Sequence, residues 1–171
     1  MKKLSTQQLT MLGALVALEV VLARILGLEI GGIIRISFKF IPVTIRSALF
    51  HPILSGFGGA VADVIGYVLK PTGAFFPGFT LTAFLGSVIY GIFYYKKPIT
   101  PLRIAMATAS VTLICDVLLN TLWLVMLTGN PFTALMTSRL PVQLTSMVIS
   151  IVVQAVVLGR VVGQIERNIG I

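Results

Sequence analysis

The stretch PLRIAMATASVTLICDVLLNTLWLVML, residues 101–127, decides the fold. Between Arg103 at its start and its last residue it carries a single charge, Asp116. A helix of that length, rising about 1.5 Å per residue, exceeds the roughly 30 Å hydrocarbon core of a bilayer and crosses it with tilt. A soluble helix would show a polar face along its whole length, and this one does not. Working outward, apolar runs recur at residues 9–28, 40–54, 56–69, 79–95 and 134–162, the second and third of them short. The links between them carry the breakers: three glycines in residues 27–39, two prolines and two glycines in 70–78, and the Lys96-Lys97-Pro98 and Gly129-Asn130-Pro131 turns. The alternation from Ile34 to Phe40 reads as a short extended piece.

Composition agrees. Of 171 residues 57% are hydrophobic and 11% charged, and the mean hydropathy is +1.03. Soluble domains carry about 25% charged residues, so this chain cannot clothe itself for water. The expectation is an all-α integral membrane protein: one domain, residues 1–171, of six transmembrane helices. The first run leads into further apolar segments and is read as a membrane helix, not a signal peptide. The net charge of +8 does not mark a nucleic-acid binder, because the cations flank the apolar runs instead of forming a stripe. With six spans, Lys2, Lys3, Lys96, Lys97, Arg103, Arg160 and Arg167 fall on one side and Arg35, Lys39 and Lys70 on the other. Seven against three places both termini in the cytoplasm. One cysteine, Cys115, and one histidine, His51, leave no basis for a disulfide or a metal site, and they read as a packing residue and a surface turn. No enzyme motif appears.

Ionisable groups inside hydrocarbon are costly and call for a partner or a function. Asp116, Asn120 and Trp123 are spaced i, i+4, i+7 and share a helix face, as do Asp63, Tyr67 and Lys70. Arg139, Gln143, Ser146, Ser150 and Gln154 form a third stripe. Arg24 stands in the outer part of the first helix, with Glu19 deeper. Converging in the outer half of the bundle, these faces describe a cavity for a polar, partly aromatic small molecule. The alternative is that the groups neutralise one another, Arg46 with Asp63 and Asp116 with Arg139. Phe75 and Phe76 read either as part of an interfacial aromatic belt or as a lid. Gly13 and Ala17, and the cluster Gly56, Gly59, Ala60, allow close helix approach, by default within the bundle for the second group.

Arg35-Ile36-Ser37-Phe38-Lys39-Phe40-Ile41-Pro42 resembles the first outer loop and second-helix start of the vitamin-binding S components of ECF transporters. Residues 58–67, GGAVADVIGY, resemble their third helix. Pro77-Gly78-Phe79-Thr80-Leu81-Thr82-Ala83 with Gly86, Tyr90 and Gly91 resembles the start of the fourth. Asn120-Thr121-Leu122-Trp123-Leu124 resembles the fifth helix of folate-specific members. The resemblance covers nearly the whole chain.

It implies a substrate-binding subunit in a bacterial cell membrane, not an enzyme. Such a subunit captures folate with high affinity and docks on one membrane scaffold subunit and two ATPases; the chain itself uses no cofactor and its partners use ATP. Docking topples the subunit in the membrane, and the first and third outer loops act as gates. Small residues on the first helix form the docking face in an Ala-x-x-x-Ala pattern, matched here by Gly13-x-x-x-Ala17 with one departure. A pterin edge presents an amino group and a ring N–H to Asp63 or Asp116, with Asn120 in support. Trp123, Tyr67 and Phe76 offer stacking faces. The glutamate carboxylates suit Arg35, Lys39 or Lys70 at the mouth, or Arg24 and Arg139 deeper in. The competing readings are an S component for riboflavin or pantothenate, or a membrane assembly protein without transport.

Overall fold

The computed structural model describes residues 5–24, 28–30, 34–36, 38–71 and 74–169. Proline fixes where three helices begin. Pro52, Pro77 and Pro101 each open one, at the position where a missing N–H costs nothing. In chain order the helices are α1 (Thr6–Arg24), α2 (Phe40–Leu49), α3 (Pro52–Leu69), α4 (Pro77–Tyr94), α5 (Pro101–Thr128) and α6 (Phe132–Ile169). Gly129, with φ of +70°, terminates α5 in the left-handed conformation that favours glycine. Between α1 and α2 lie two three-residue strands, β1 (Leu28–Ile30) and β2 (Ile34–Ile36), paired antiparallel with Glu29 opposite Arg35. The extended piece expected over Ile34 to Phe40 is shorter, Ile34–Ile36, and forms half of a hairpin; Phe38 and Lys39 make a turn and Phe40 already opens α2.

Among the described residues five helices are long and apolar enough to cross a membrane. α2, with 10 residues, is not; at about 1.5 Å per residue it reaches roughly 15 Å. Every residue from Pro42 to Leu49 is buried, so α2 is an inner element packed among α1, α4 and α6. The sequence reading ran this segment on to residue 54 and began the next at 56. The break in fact falls at Phe50-His51. A residue before proline is driven to extended backbone, and His51 sits at φ −51°, ψ 140° ahead of Pro52. Hydropathy misses this because Ile53 and Leu54 resume at once.

The helices run alternately between two ends. Arg24, closing α1, donates to the Lys70 carbonyl beyond α3 at 3.3 Å, so those termini share one end with the hairpin. His51 and Tyr95 rings meet at 5.7 Å at the other. α3 and α4 form the tightest seam. A Cβ on Gly56 would lie 2.7 Å from Val88, and one on Gly59 2.7 Å from the Ala83 carbonyl oxygen. These glycines serve internal packing, as expected. Outside, Val68, Leu118, Val148, Val152 and Val156 are exposed, an apolar belt that only lipid satisfies.

Candidate functional site

A cavity of ≈ 530 Å³ opens at the hairpin end, within the range that holds a cofactor-sized ligand. Its wall carries three carboxylates, Glu19, Asp63 and Asp116, and three cations, Arg24, Lys39 and Arg139. Tyr67, Phe75, Phe76 and Phe79 surround them. Polar faces from α1, α3, α5 and α6 therefore converge, as the periodicity implies, and α4 adds Thr82 and Ser87.

The α5 wall is built unusually. Residues Thr112–Leu119 form a π-helical stretch inside the span, a local widening that often marks a functional site. It presents Thr112, Cys115 and Asp116 to the cavity, with Asn120 following. The Asn120 amide donates to Asp116 Oδ1 at 3.4 Å. Its own Oδ1 is buried and is one of two such side-chain atoms without a hydrogen-bond partner among the described residues. An orphaned acceptor costs about 1–3 kcal/mol unless a donor reaches it, so Asn120 is ready to take a ligand N–H.

Arg139 approaches the same wall, but not as the carboxylate pair of the alternative reading. Its guanidinium donates to the backbone carbonyls of Asn120 and Asp116, each at 3.4 Å. The arrangement leaves the Asp116 carboxylate to Asn120 and to the cavity.

Asp63 departs from the alternative of mutual neutralisation. It does not pair with Arg46; it lies 3.9 Å from Arg24 and accepts a 2.8 Å bond from Thr80. Arg46 turns instead to Glu19, at 2.5 Å, and to Ser87 and Ser55. Sequence reasoning noted Glu19 without assigning it a role. Its partner is 27 positions away on another helix, and no spacing rule links them. The unexplained acid so close to Arg24 was the available signal.

Trp123 stands one layer behind the wall. Its ring is 5.7 Å from Phe76, and its indole N–H donates to Thr82 Oγ1 at 2.9 Å. Phe76 and Thr82 line the cavity and Trp123 supports them. Tyr67 meets Phe75 at 5.1 Å, which ties the loop after α3 to the helix it leaves. Lys39 is exposed at the start of α2 and lines the mouth. Arg35 belongs to β2, and its side chain falls outside the described part of the structure. Gly13 and Ala17 lie far from the cavity on an exposed strip of α1, with nothing within 4 Å of a Cβ placed on Gly13.

Comparison with known proteins bears on this architecture. Residues 7–158 match the family model described as ECF transporter, substrate-specific component. The folate transporter FolT of Clostridium novyi (strain NT) is 44% identical over 126 residues, 74% of this chain and 73% of that protein. The folate transporter FolT of Leuconostoc mesenteroides subsp. mesenteroides is 38% identical over 127 residues, 73% of this chain and 67% of that protein. A crystal structure of FolT bound with folic acid superposes with a TM-score of 0.82 at 38% identity, covering 91% of this chain and 93% of that one.

Proposed function

Because the chain belongs to the substrate-specific components of ECF transporters, a family of multi-pass transport proteins and not of enzymes, we propose that it is the folate-capturing subunit of such a transporter. The observation that carries this reading is the α5 wall: a carboxylate, Asp116, beside the orphaned Asn120 oxygen, facing a cavity whose other walls carry Arg24, Lys39 and Arg139. A pterin ring supplies donors for that wall. Its amino group and ring N–H match acceptors on Asp116 and Asn120. Phe76 and Tyr67 pack on its faces, and Trp123 fixes Phe76 in place. The glutamate tail then extends toward the mouth, where its two carboxylates meet Arg24, Lys39 and Arg35, and Arg139 balances charge on the inner side. Asp63 holds Arg24 in position and competes with the ligand's carboxylates for it. Charge-assisted bonds of this kind are about twice as strong as neutral ones, and burial raises them further, which is how the site reaches high affinity.

The cavity opens to the outside of a bacterial cell membrane with both chain termini in the cytoplasm, the orientation favoured by the cation count. Uphill uptake requires energy that this chain cannot supply. It comes from docking on a membrane scaffold subunit with two ATPases, through the strip of α1 that carries Gly13 and Ala17. That strip is small, exposed and apolar, so helix backbones approach closely there.

Trp123 is the chain's one tryptophan. Titrating purified protein with folic acid should quench its emission saturably at one ligand per chain. No saturable change, together with unaltered folate binding in Trp123→Ala, would overturn the placement of the ligand against Phe76.

A further inference from the structure

Among the described residues the most deeply buried charge is not in the wall just described. Arg46 is 0% exposed on α2, the inner helix. Each of its nitrogens is committed: Nη1 to Glu19 on α1 at 2.5 Å, Nη2 to Ser87 on α4 at 3.0 Å, and Nε to Ser55 on α3 at 3.4 Å. The helices make room for it. A Cβ on Gly58 would lie 2.9 Å from the Arg46 Cδ, and one on Gly59 3.2 Å from Nη2. Four helices thus meet on one guanidinium.

Glu19 differs from its partner. Its side chain retains 9% exposure where Arg46 has none, and it lines the cavity. Only Oε2 is engaged, by Arg46, and Oε1 has no hydrogen-bond partner among the described residues. Glu19 is five residues deeper than Arg24 on α1, about 7–8 Å nearer the bundle centre. Lys39 at the mouth, Glu19 and Asp116 all line this one cavity. An acid used only as a structural counter-ion gains nothing by facing a ligand-sized space, where it is harder to keep desolvated and paired.

We infer that Glu19 is a second ligand-contacting acceptor, held by Arg46 so that Oε1 accepts the second N–H of the ligand ring's exocyclic amino group, the first being taken by the α5 wall, and that Arg46 is its positioning residue. Two acceptor walls, Asp116 with Asn120 on α5 and Glu19 on α1, then select rings with donors on more than one edge. A ring with one donor edge satisfies one wall and strands the other. The proposal rests on the folate reading and adds a specificity determinant to it.

The test compares folic acid with its 2-desamino analogue by calorimetry, in wild type and in Glu19→Gln. Failure of wild type to bind folic acid would overturn the functional reading itself. Given wild-type binding, the expected result is a preference for folic acid of at least tenfold that shrinks several-fold in Glu19→Gln. Equal weakening of both ligands, with the ratio preserved, would make Glu19 purely structural and overturn the inference, as would unchanged affinity. Should Glu19→Gln not fold, infrared difference spectroscopy decides. In a Glu29→Gln/Glu166→Gln background Glu19 is the sole glutamate. With ¹³C-glutamate labelling, its carboxylate stretch should move on adding folic acid. A band that stays put overturns the inference.

Discussion

Replacing Arg46 by Met removes the guanidinium and keeps most of the stem volume between Gly58 and Gly59. The loss is uneven across its three partners. Ser87 keeps a 2.9 Å bond to the Ala83 carbonyl, and Ser55 keeps its 2.7 Å contact with Ser47, so those hydroxyls stay satisfied. Glu19 does not. Its short ion pair is the only hydrogen-bonded contact its carboxylate makes among the described residues. Removing one member of a buried pair costs about 3–5 kcal/mol. Because Glu19 reaches the cavity, the lower end applies, about 3 kcal/mol. Removing both charges should be far milder, since a well-packed apolar pair is often close to neutral in place of a buried ion pair. The Glu19→Met/Arg46→Met double variant should therefore be more stable than Arg46→Met alone, with a coupling of about 2 kcal/mol or more. Reversible unfolding in mixed micelles gives the free energies. Additivity of the two single substitutions, or a loss below about 1 kcal/mol for Arg46→Met, would refute the reasoning and the four-helix clasp with it.

Three further outcomes follow from the same geometry. Asp116→Asn, isosteric, should weaken folic acid binding about 10- to 100-fold, from the about 1.5–3 kcal/mol of a bond to a charged group, while the thermal midpoint holds; calorimetry and a melt check both. Gly59→Val puts carbon 2.4 Å from Ser87 Oγ and 2.7 Å from a backbone oxygen, so the α3–α4 seam must part, and unfolding should cost about 1–3 kcal/mol less than in wild type. A Cβ at Gly13 meets nothing within 4 Å, so in Gly13→Leu stability and folate binding should be unchanged, whereas co-purification with the proposed scaffold and ATPase partners should fall sharply.

Much of the architecture was legible because lipid imposes a simple rule: spans must be apolar and long, and the cations mark their ends. The Pro77 and Pro101 starts lie within two residues of where hydropathy put them. What was not legible depends on contacts between helices. Hydropathy runs unbroken through Phe50, so the ten-residue α2 reads as a short span over residues 40–54, whereas the backbone bends at His51-Pro52. The π-helical turn at Thr112–Leu119 has no composition of its own, and it shifts which α5 residues face inward. Asp116 and Asn120 still share the cavity, while Trp123 retreats behind Phe76. Asp63 and Arg46 both lie near mid-depth and looked like partners. Depth along a helix is readable from sequence, but azimuth between helices is not, and it gave Arg46 to Glu19 and Asp63 to Arg24.

Equilibrium dialysis of radiolabelled folic acid against the detergent-solubilised chain, without any partner subunit, bears most directly on what this molecule is for. Saturable uptake approaching one folic acid per chain, lost when Asp116 and Asn120 are both replaced by Leu, is the expected result. Retention no greater than that of detergent alone, or full retention in the doubly substituted chain, would contradict it.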